Sequence, residues 1–464
     1  MNTADSQAQY QKMIGTPIPK LIPSLAVPTI ISMLVTGIYN LADTYFVSCL
    51  NSDSATAAVG VVFSLMALIQ AAGFALGMGA GSLISRLLGQ QKRDEAERTL
   101  ASSFAAALVL GLIIAVLGLL FLDPLMMLLG STKTILPYAR DYAQYILYGA
   151  PVMIASFVLN KALLSEGHAA LSMVGITAGG VLNVLLDPLL VLVFDMGIAG
   201  AAIATLISQC VSFVILLVLC LSPRSFLRPS LRSVSRRPGL YGSILFTGMP
   251  SFFRQGLSSV ATIALVHAAS AYGDPAVAAM SVVGKVCMLI MSALIGFGQG
   301  YQPAMGYNYG ARRYDRARQA MTYSLRTSTL LMVALAVAGF VAAPWIVGCF
   351  GSGDMLTIGV AAMRFQCAAM PFQAVNVLSN MTFQTVGRAG LGTFLASCRQ
   401  GVYYLPLIFL LPHFWGLTGL EITQAVSDVL TCLTCVPFLL SFARTLRRQE
   451  GELAAAPADG QPVP

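Results

Sequence analysis

The stretch GQQKRDEA, residues 89–96, returns as GARRYDRA at residues 310–317. Each copy follows one long apolar run and precedes another. Both read glycine, two residues, a base, one residue, aspartate, one residue, alanine. The same register carries further pairs on either side. SDSATAAVGVVF from Ser52 answers GDPAVAAMSVVG from Gly273, and GFALG from Gly73 answers GFGQG from Gly296. Pro151 pairs with Pro371, Asn160 with Asn380, GHA from Gly167 with GRA from Gly387, and GIAG from Gly197 with GLTG from Gly416. About six apolar segments separate the copies, so both halves enter the membrane with the same orientation. A parallel repeat about an axis along the membrane normal is a transporter plan, with the substrate cavity between two lobes.

Composition sets the solvent. Of 464 residues, 57% are hydrophobic and only 10% charged, whereas a soluble domain is charged at about a quarter of its positions. Apolar segments fall at 21–47, 54–84, 99–121, 136–163, 169–194, 198–221, 241–270, 275–303, 320–347, 355–385, 390–412 and 416–443. Each is long enough to cross about 30 Å of hydrocarbon, and none alternates as a barrel strand does. The expected fold is an all-α integral membrane protein of about twelve helices in two six-helix lobes around a central cavity. We place the lobes at 1–222 and 241–446, a basic linker at 223–240, and a disordered tail at 447–464.

The net charge of +8 is distributed by loop. One set of connections carries Arg86, Lys92, Arg93 and Arg98; then Arg224, Arg228, Arg232, Arg236 and Arg237; then Arg312, Arg313, Arg316 and Arg318; then Arg388 and Arg399. The alternate set offers little beyond Lys133 and Arg140. This bias puts both termini and the basic loops in the cytoplasm and removes any need for a nucleic-acid partner. The polar first twenty residues precede an uncleaved first span, not a signal peptide. Nine cysteines, most within apolar runs, read as small packing residues, and the three histidines have no metal spacing.

Two carboxylates interrupt this pattern. Asp43 lies in YNLADTYFV, residues 39–47, and Asp187 in LNVLLDPLLV, residues 182–191. An aspartate at a helix centre costs roughly 2.5–3.5 kcal/mol on the insertion scale, so such residues face a cavity and act there. Tyr39 stands four residues before Asp43, and Asn183 four before Asp187, which places each polar pair on one helix face. Each pair can hold a proton, or hold Na⁺ through oxygen ligands, and Pro188 frees a backbone carbonyl beside them. The corresponding C-terminal positions, around Ala264 and Tyr404, are apolar or aromatic.

Taken together, YNLADTYFV, GQQKRDEA, LNVLLDP, GIAGAAIATLISQ, MPSFFRQGL and GFGQGYQP resemble the multidrug and toxic compound extrusion (MATE) transporters, in their order and spacing, over essentially the whole chain. Within that family the resemblance is greatest to the MepA-like bacterial branch. It implies export of organic cations or amphipathic drugs by a monomer in the bacterial inner membrane, through rocker-switch antiport against H⁺ or Na⁺, with no other cofactor. It further implies that Asp43 and Asp187 are the coupling acids, accompanied by Tyr39, Asn183, Thr205 and Asn160, four of which (Asp43, Asn183, Asp187 and Thr205) could ligate Na⁺. Where some members carry further acids, this chain has Arg254-Gln255, Lys285 and Gln299.

Arg254, Gln255, Gln299 and Asn380 are the candidate substrate-cavity residues. Lys161 and Glu166 read as a pair at a cytoplasmic helix end. No nucleophile–base set, metal cluster or GxxxxGK[ST] loop is present in the sequence, which argues against an enzyme or an ATP-driven pump. The rival reading is a lipid-linked oligosaccharide flippase of the same plan. It requires several of Arg254, Lys285, Arg326 and Arg364 to converge on one cavity.

Overall fold

The computed structural model describes residues 3–48 and 53–455, and among these the regular structure is entirely helical. The helices are α1 (Thr3–Gly15), α2 (Ile18–Ser48), α3 (Asp53–Gly89), α4 (Arg93–Leu120), α5 (Leu122–Leu128), α6 (Leu136–Ser165) and α7 (Ala169–Pro188). The next four are α8 (Gly197–Leu221), α9 (Pro238–Ser270), α10 (Asp274–Gly310) and α11 (Tyr314–Gly348). The last three are α12 (Asp354–Thr385), α13 (Ala389–Ser397) and α14 (Leu405–Ala455). Among the described residues, ten segments are long and apolar enough to span a membrane. The last of them, Ala389–Leu453, runs 65 residues and breaks at Gly416, where φ is 57°, so it holds two crossings. With α9, 33 residues long but made too polar to qualify by its Arg254-Gln255 pair, the expected dozen is complete.

The repeat seen in sequence is also a repeat of local conformation. Gln91 and Arg312 adopt φ of 58° and 57°, and Gly167 and Gly387 adopt 86° and 88°. The first of these glycines closes a Schellman cap: Gly167 N donates to Leu164 O and His168 N to Leu163 O, satisfying the last carbonyls of α6. Asn160 Nδ2 donates to Ser172 O at 3.1 Å, and Asn380 Nδ2 to Gly392 O at 2.8 Å, so the same staple ties α6 to α7 and α12 to α13. A π-helical stretch follows in each half, at Leu189–Val193 and Cys398–Tyr404.

The two halves of the chain meet where α3 packs on α9 and α2 on α10. Small residues bring the backbones together there, as in membrane helix pairs generally. A Cβ on Gly248 would overlap the Ala75 carbonyl, and one on Gly79 the carbonyl of Ile244. Thr29 Oγ1 donates across the interface to Gly296 O at 2.7 Å. These contacts lie toward the end that carries the basic loops. There α1 also bridges the halves: Gln9 donates to Glu166 O, and Asn308 donates to Met13 O.

The linker is anchored by Glu166, which does not pair with Lys161 as expected. Its carboxylate is fully buried and accepts from Ser225 Oγ at 2.8 Å and Phe226 N at 3.1 Å. The tail also departs from expectation. Residues 447–455 continue α14 as helix, with Arg318 holding Glu450 at 3.2 Å; residues 456–464 lie outside the described range.

Two outcomes follow from this packing. Gly248→Val forces α9 off α3 and should cut transport by about tenfold or more, since backbone contact leaves no side chain to yield. Labelling of a cysteine placed near Tyr307 should rise in the same variant, and unchanged labelling would refute the seal. Burial pushes Glu166 from 4.5 up to about 8, against the opposing effect of its hydrogen bonds. An acid that holds its proton more tightly when folded stabilises the fold below its ordinary pKa and loses that contribution as pH rises through the folded value. The unfolding temperature in detergent should therefore fall from pH 4.5 to about 8, and Glu166→Gln should flatten that slope.

Candidate functional site

Asp43 and Asp187 are brought together by the packing of α2 against α7. Gly180 on α7 faces Val35 and Tyr39 at the crossing, so the helices approach closely. Asp187 is 0% exposed and Asp43 is 9% exposed. Neither touches a cation. A hydrogen-bonded chain links them instead. Asn183 Nδ2 donates to Asp187 Oδ1 at 3.4 Å and to Thr205 Oγ1 at 3.3 Å. Thr205 meets the hydroxyl of Tyr142, and that hydroxyl donates to Asp43 Oδ2 at 3.0 Å.

Three oxygens along this chain, Asp43 Oδ1, Asn183 Oδ1 and Asp187 Oδ2, are buried without a hydrogen bond. An unmet buried acceptor costs about 1–3 kcal/mol, and two carboxylates this close repel one another. A proton or a small hard cation would relieve both terms, and the donor set of carboxylate, amide and hydroxyl oxygens suits either.

Sequence reasoning assembled most of this cluster but missed Tyr142. It sits on α6, where YARDYAQY gave no reason to single out one of several tyrosines. Asn160 does not join the acids, because its amide is spent on Ser172. Tyr39 stands beside Asp43 and meets Gln209 of α8, another residue the sequence left unmarked.

A cavity opens in front of the acids, between the two halves. Tyr39, Asn183 and Thr205 line it, while the two carboxylates lie one layer behind. Gln255, Gln299 and Arg254 line it from the C-terminal half. Asn380 does not, being held on Gly392. Lys161 was read as lying at a helix end; it also lines the cavity and donates to Gln299 Oε1 at 2.6 Å, a bond between the halves. Of the four candidate cations for a flippase cavity, several of which would have to converge, only Arg254 is there. Lys285 and Arg326 are exposed outside the lining, and Arg364 lies over the Phe340 ring at 5.1 Å.

The C-terminal half holds a buried acid that the repeat comparison overlooked. Asp428 is 0% exposed and takes Arg399 Nε at 2.6 Å, with Gln373 Nε2 at 2.7 Å on its other oxygen. Arg399, counted above among the basic loops, is in fact this interior partner.

An all-helical membrane protein with a duplicated plan, a cavity between its halves and ionisable groups behind the cavity wall is a transporter, not an enzyme. The MatE family model matches residues 28–189 and 250–410, and the chain belongs to that family. The multidrug export protein MepA of Staphylococcus saprophyticus is 25% identical over 431 residues, covering 92% of this chain and 94% of the relative. MepA of Staphylococcus aureus is 24% identical over 433 residues, 93% of this chain and 95% of that one. A structure described as the outward-facing conformation of a multidrug resistance MATE family transporter superposes with a TM-score of 0.89 at 25% identity. It covers 94% of this chain and 98% of that one.

Loss of the Tyr142 donor checks the geometry. Tyr142→Phe removes a hydrogen bond to a carboxylate, worth about 1.5–3 kcal/mol, so transport should drop by about tenfold or more. Tyr145→Phe, one turn away, should retain it; equal loss in both would remove Tyr142 from the site.

Proposed function

We propose that the protein is a secondary multidrug exporter of the cell membrane, exchanging H⁺ or Na⁺ inward for an amphipathic small molecule outward. The observation that carries this is the hydrogen-bonded chain from Asp187 through Asn183, Thr205 and Tyr142 to Asp43, with three free oxygens beside the cavity. The names of its relatives supply the direction of transport and the multidrug range.

The coupling ion binds at Asp43 and Asp187, with Asn183 and Thr205 completing the oxygen set. Tyr39 and Asn183 form the wall between that site and the cargo. Filling the site removes the repulsion between the acids and lets α2 and α7 settle against each other. Because α2 also packs on α10, a shift in α2 is felt at the interface of the halves. The two lobes then rock as units, and an ion that binds one arrangement better than the other sets which is populated. The basic loops and both termini face the cytoplasm, by the positive-inside bias. The glycine contacts close that side, so the arrangement described is the one open outward. The working unit is a single chain.

The test is efflux of a fluorescent amphipathic dye from proteoliposomes under an imposed H⁺ or Na⁺ gradient. Wild type should respond to one of the two gradients. Asp43→Asn and Asp187→Asn should each lose at least about nine-tenths of that response while keeping wild-type unfolding temperatures. Full gradient-driven efflux in both variants would place the coupling elsewhere.

A further inference from the structure

Among the described residues, two side chains that line the cavity are charged, Lys161 of α6 and Arg254 of α9; both are cations, and no aspartate or glutamate lines it. The charged groups acting on this pair are also positive: Arg254 acts on Lys161, and Arg399 acts on Arg254. The nearby acid of that half, Asp428, is already committed to Arg399. Lys161 has Gln299 as a neutral partner, but Nε and Nη2 of Arg254 are buried and carry no hydrogen bond at all. Two buried guanidinium nitrogens without partners are costly, and a like charge beside them makes them more so. The rest of the wall mixes apolar side chains such as Phe74, Phe157 and Met288 with hydroxyls and amides such as Ser32, Thr36 and Gln70.

We infer that this cavity takes the anionic group of an amphipathic molecule, a carboxylate or a phosphate, on Arg254 and Lys161. The planar fork of Arg254 offers two donors to such an oxyanion, and Lys161 supplies a point charge. The apolar body of the molecule lies against Phe74, Phe157 and Met288. An organic cation in the same place would meet two like charges and no acid. Binding also has a mechanical consequence. Lys161 and Gln299 sit on opposite halves, so an anion that draws Lys161 away from Gln299 breaks a bond between them. The inference rests on the export reading only in taking the cavity as the cargo's; the binding it predicts needs no ion gradient.

The measurement is equilibrium binding to the purified full-length protein in neutral detergent. The probes are three congeners of one naphthalene fluorophore on a short alkyl chain, ending in a carboxylate, a primary amide or a trimethylammonium group. The carboxylate should bind at least about tenfold more tightly than the ammonium congener. Arg254→Gln and Lys161→Gln should each weaken the carboxylate by about tenfold while moving the amide by less than about twofold, and Arg254→Lys should recover much of the loss. Ammonium binding as tight as carboxylate binding in wild type would overturn the inference, and that comparison needs no variant to fold. Carboxylate affinity unmoved in a folded Arg254→Gln would overturn it too. Competition separates the two sources of the anion. Displacement by phosphatidylglycerol and not phosphatidylcholine identifies a lipid phosphate as the occupant, whereas displacement by neither identifies a soluble amphiphile; both keep the anionic site. Because no gradient is applied, failure of coupling at Asp43 and Asp187 would leave these affinities unchanged.

Discussion

Hydrocarbon offers no partner to a polar group, and the arrangement of this protein follows from that constraint. Backbone amides must pair within their own segment, which gives long helices. Hydroxyls inside those helices turn back on their own carbonyls, as Thr36 does on Ser32 and Ser156 on Val152. Where the ladder is interrupted, the interruption is held inside the protein. The π-helical stretch at Leu189–Val193 begins directly after Pro188, next to Asp187, so the break in backbone pairing falls beside the buried acid. Groups that cannot be satisfied locally are gathered between the halves.

The halves treat their buried acids differently, although they share a scaffold. In the C-terminal half Asp428 is enclosed by Arg399, Gln373 and Gln424, a fully provided carboxylate. Asp43 and Asp187 have hydroxyl and amide neighbours only, and oxygens left over. A carboxylate tied to a guanidinium has no call for a passing cation, whereas two unprovided carboxylates have every reason to bind one. The duplication therefore carries one charge-paired acid and one pair of acids with unmet oxygens on the same fold. Charge of the opposite sign faces the cavity. The acids lie behind the wall and the bases on it, with Tyr39, Asn183 and Thr205 between them.

Mechanical connection between the halves rests on contacts of two kinds. Backbone meets backbone at Gly248 and Gly79, a fit that is either made or lost. Side-chain bonds such as Lys161 to Gln299 and Thr29 to Gly296 are individually weaker and can be exchanged for a ligand or for water. The halves are thus joined by close backbone contact toward one end and by exchangeable side-chain bonds at the cavity.

Much of this was legible in the chain. The apolar runs had to become helices, because lipid permits little else, and the offset of GQQKRDEA and GARRYDRA required two like-oriented halves. Asp43 and Asp187 announced themselves because a carboxylate stands out in an apolar run, and their companions at four-residue spacing came with them. What sequence could not order was contact between helices distant in the chain. Tyr142 reaches Asp43 across 99 residues and Lys161 reaches Gln299 across 138, and no periodicity within α6 reports either. Arg399 looked like a loop cation until tertiary packing laid Asp428 beside it. Asn160, expected beside the acids, and Asn380, expected at the cavity, hold matched backbone carbonyls across their helix pairs, although Asn160 still lines the cavity. Helix identity is a matter of local chemistry and solvent, which the sequence carries. The pairing of buried charge belongs to the packing, which only the folded chain decides.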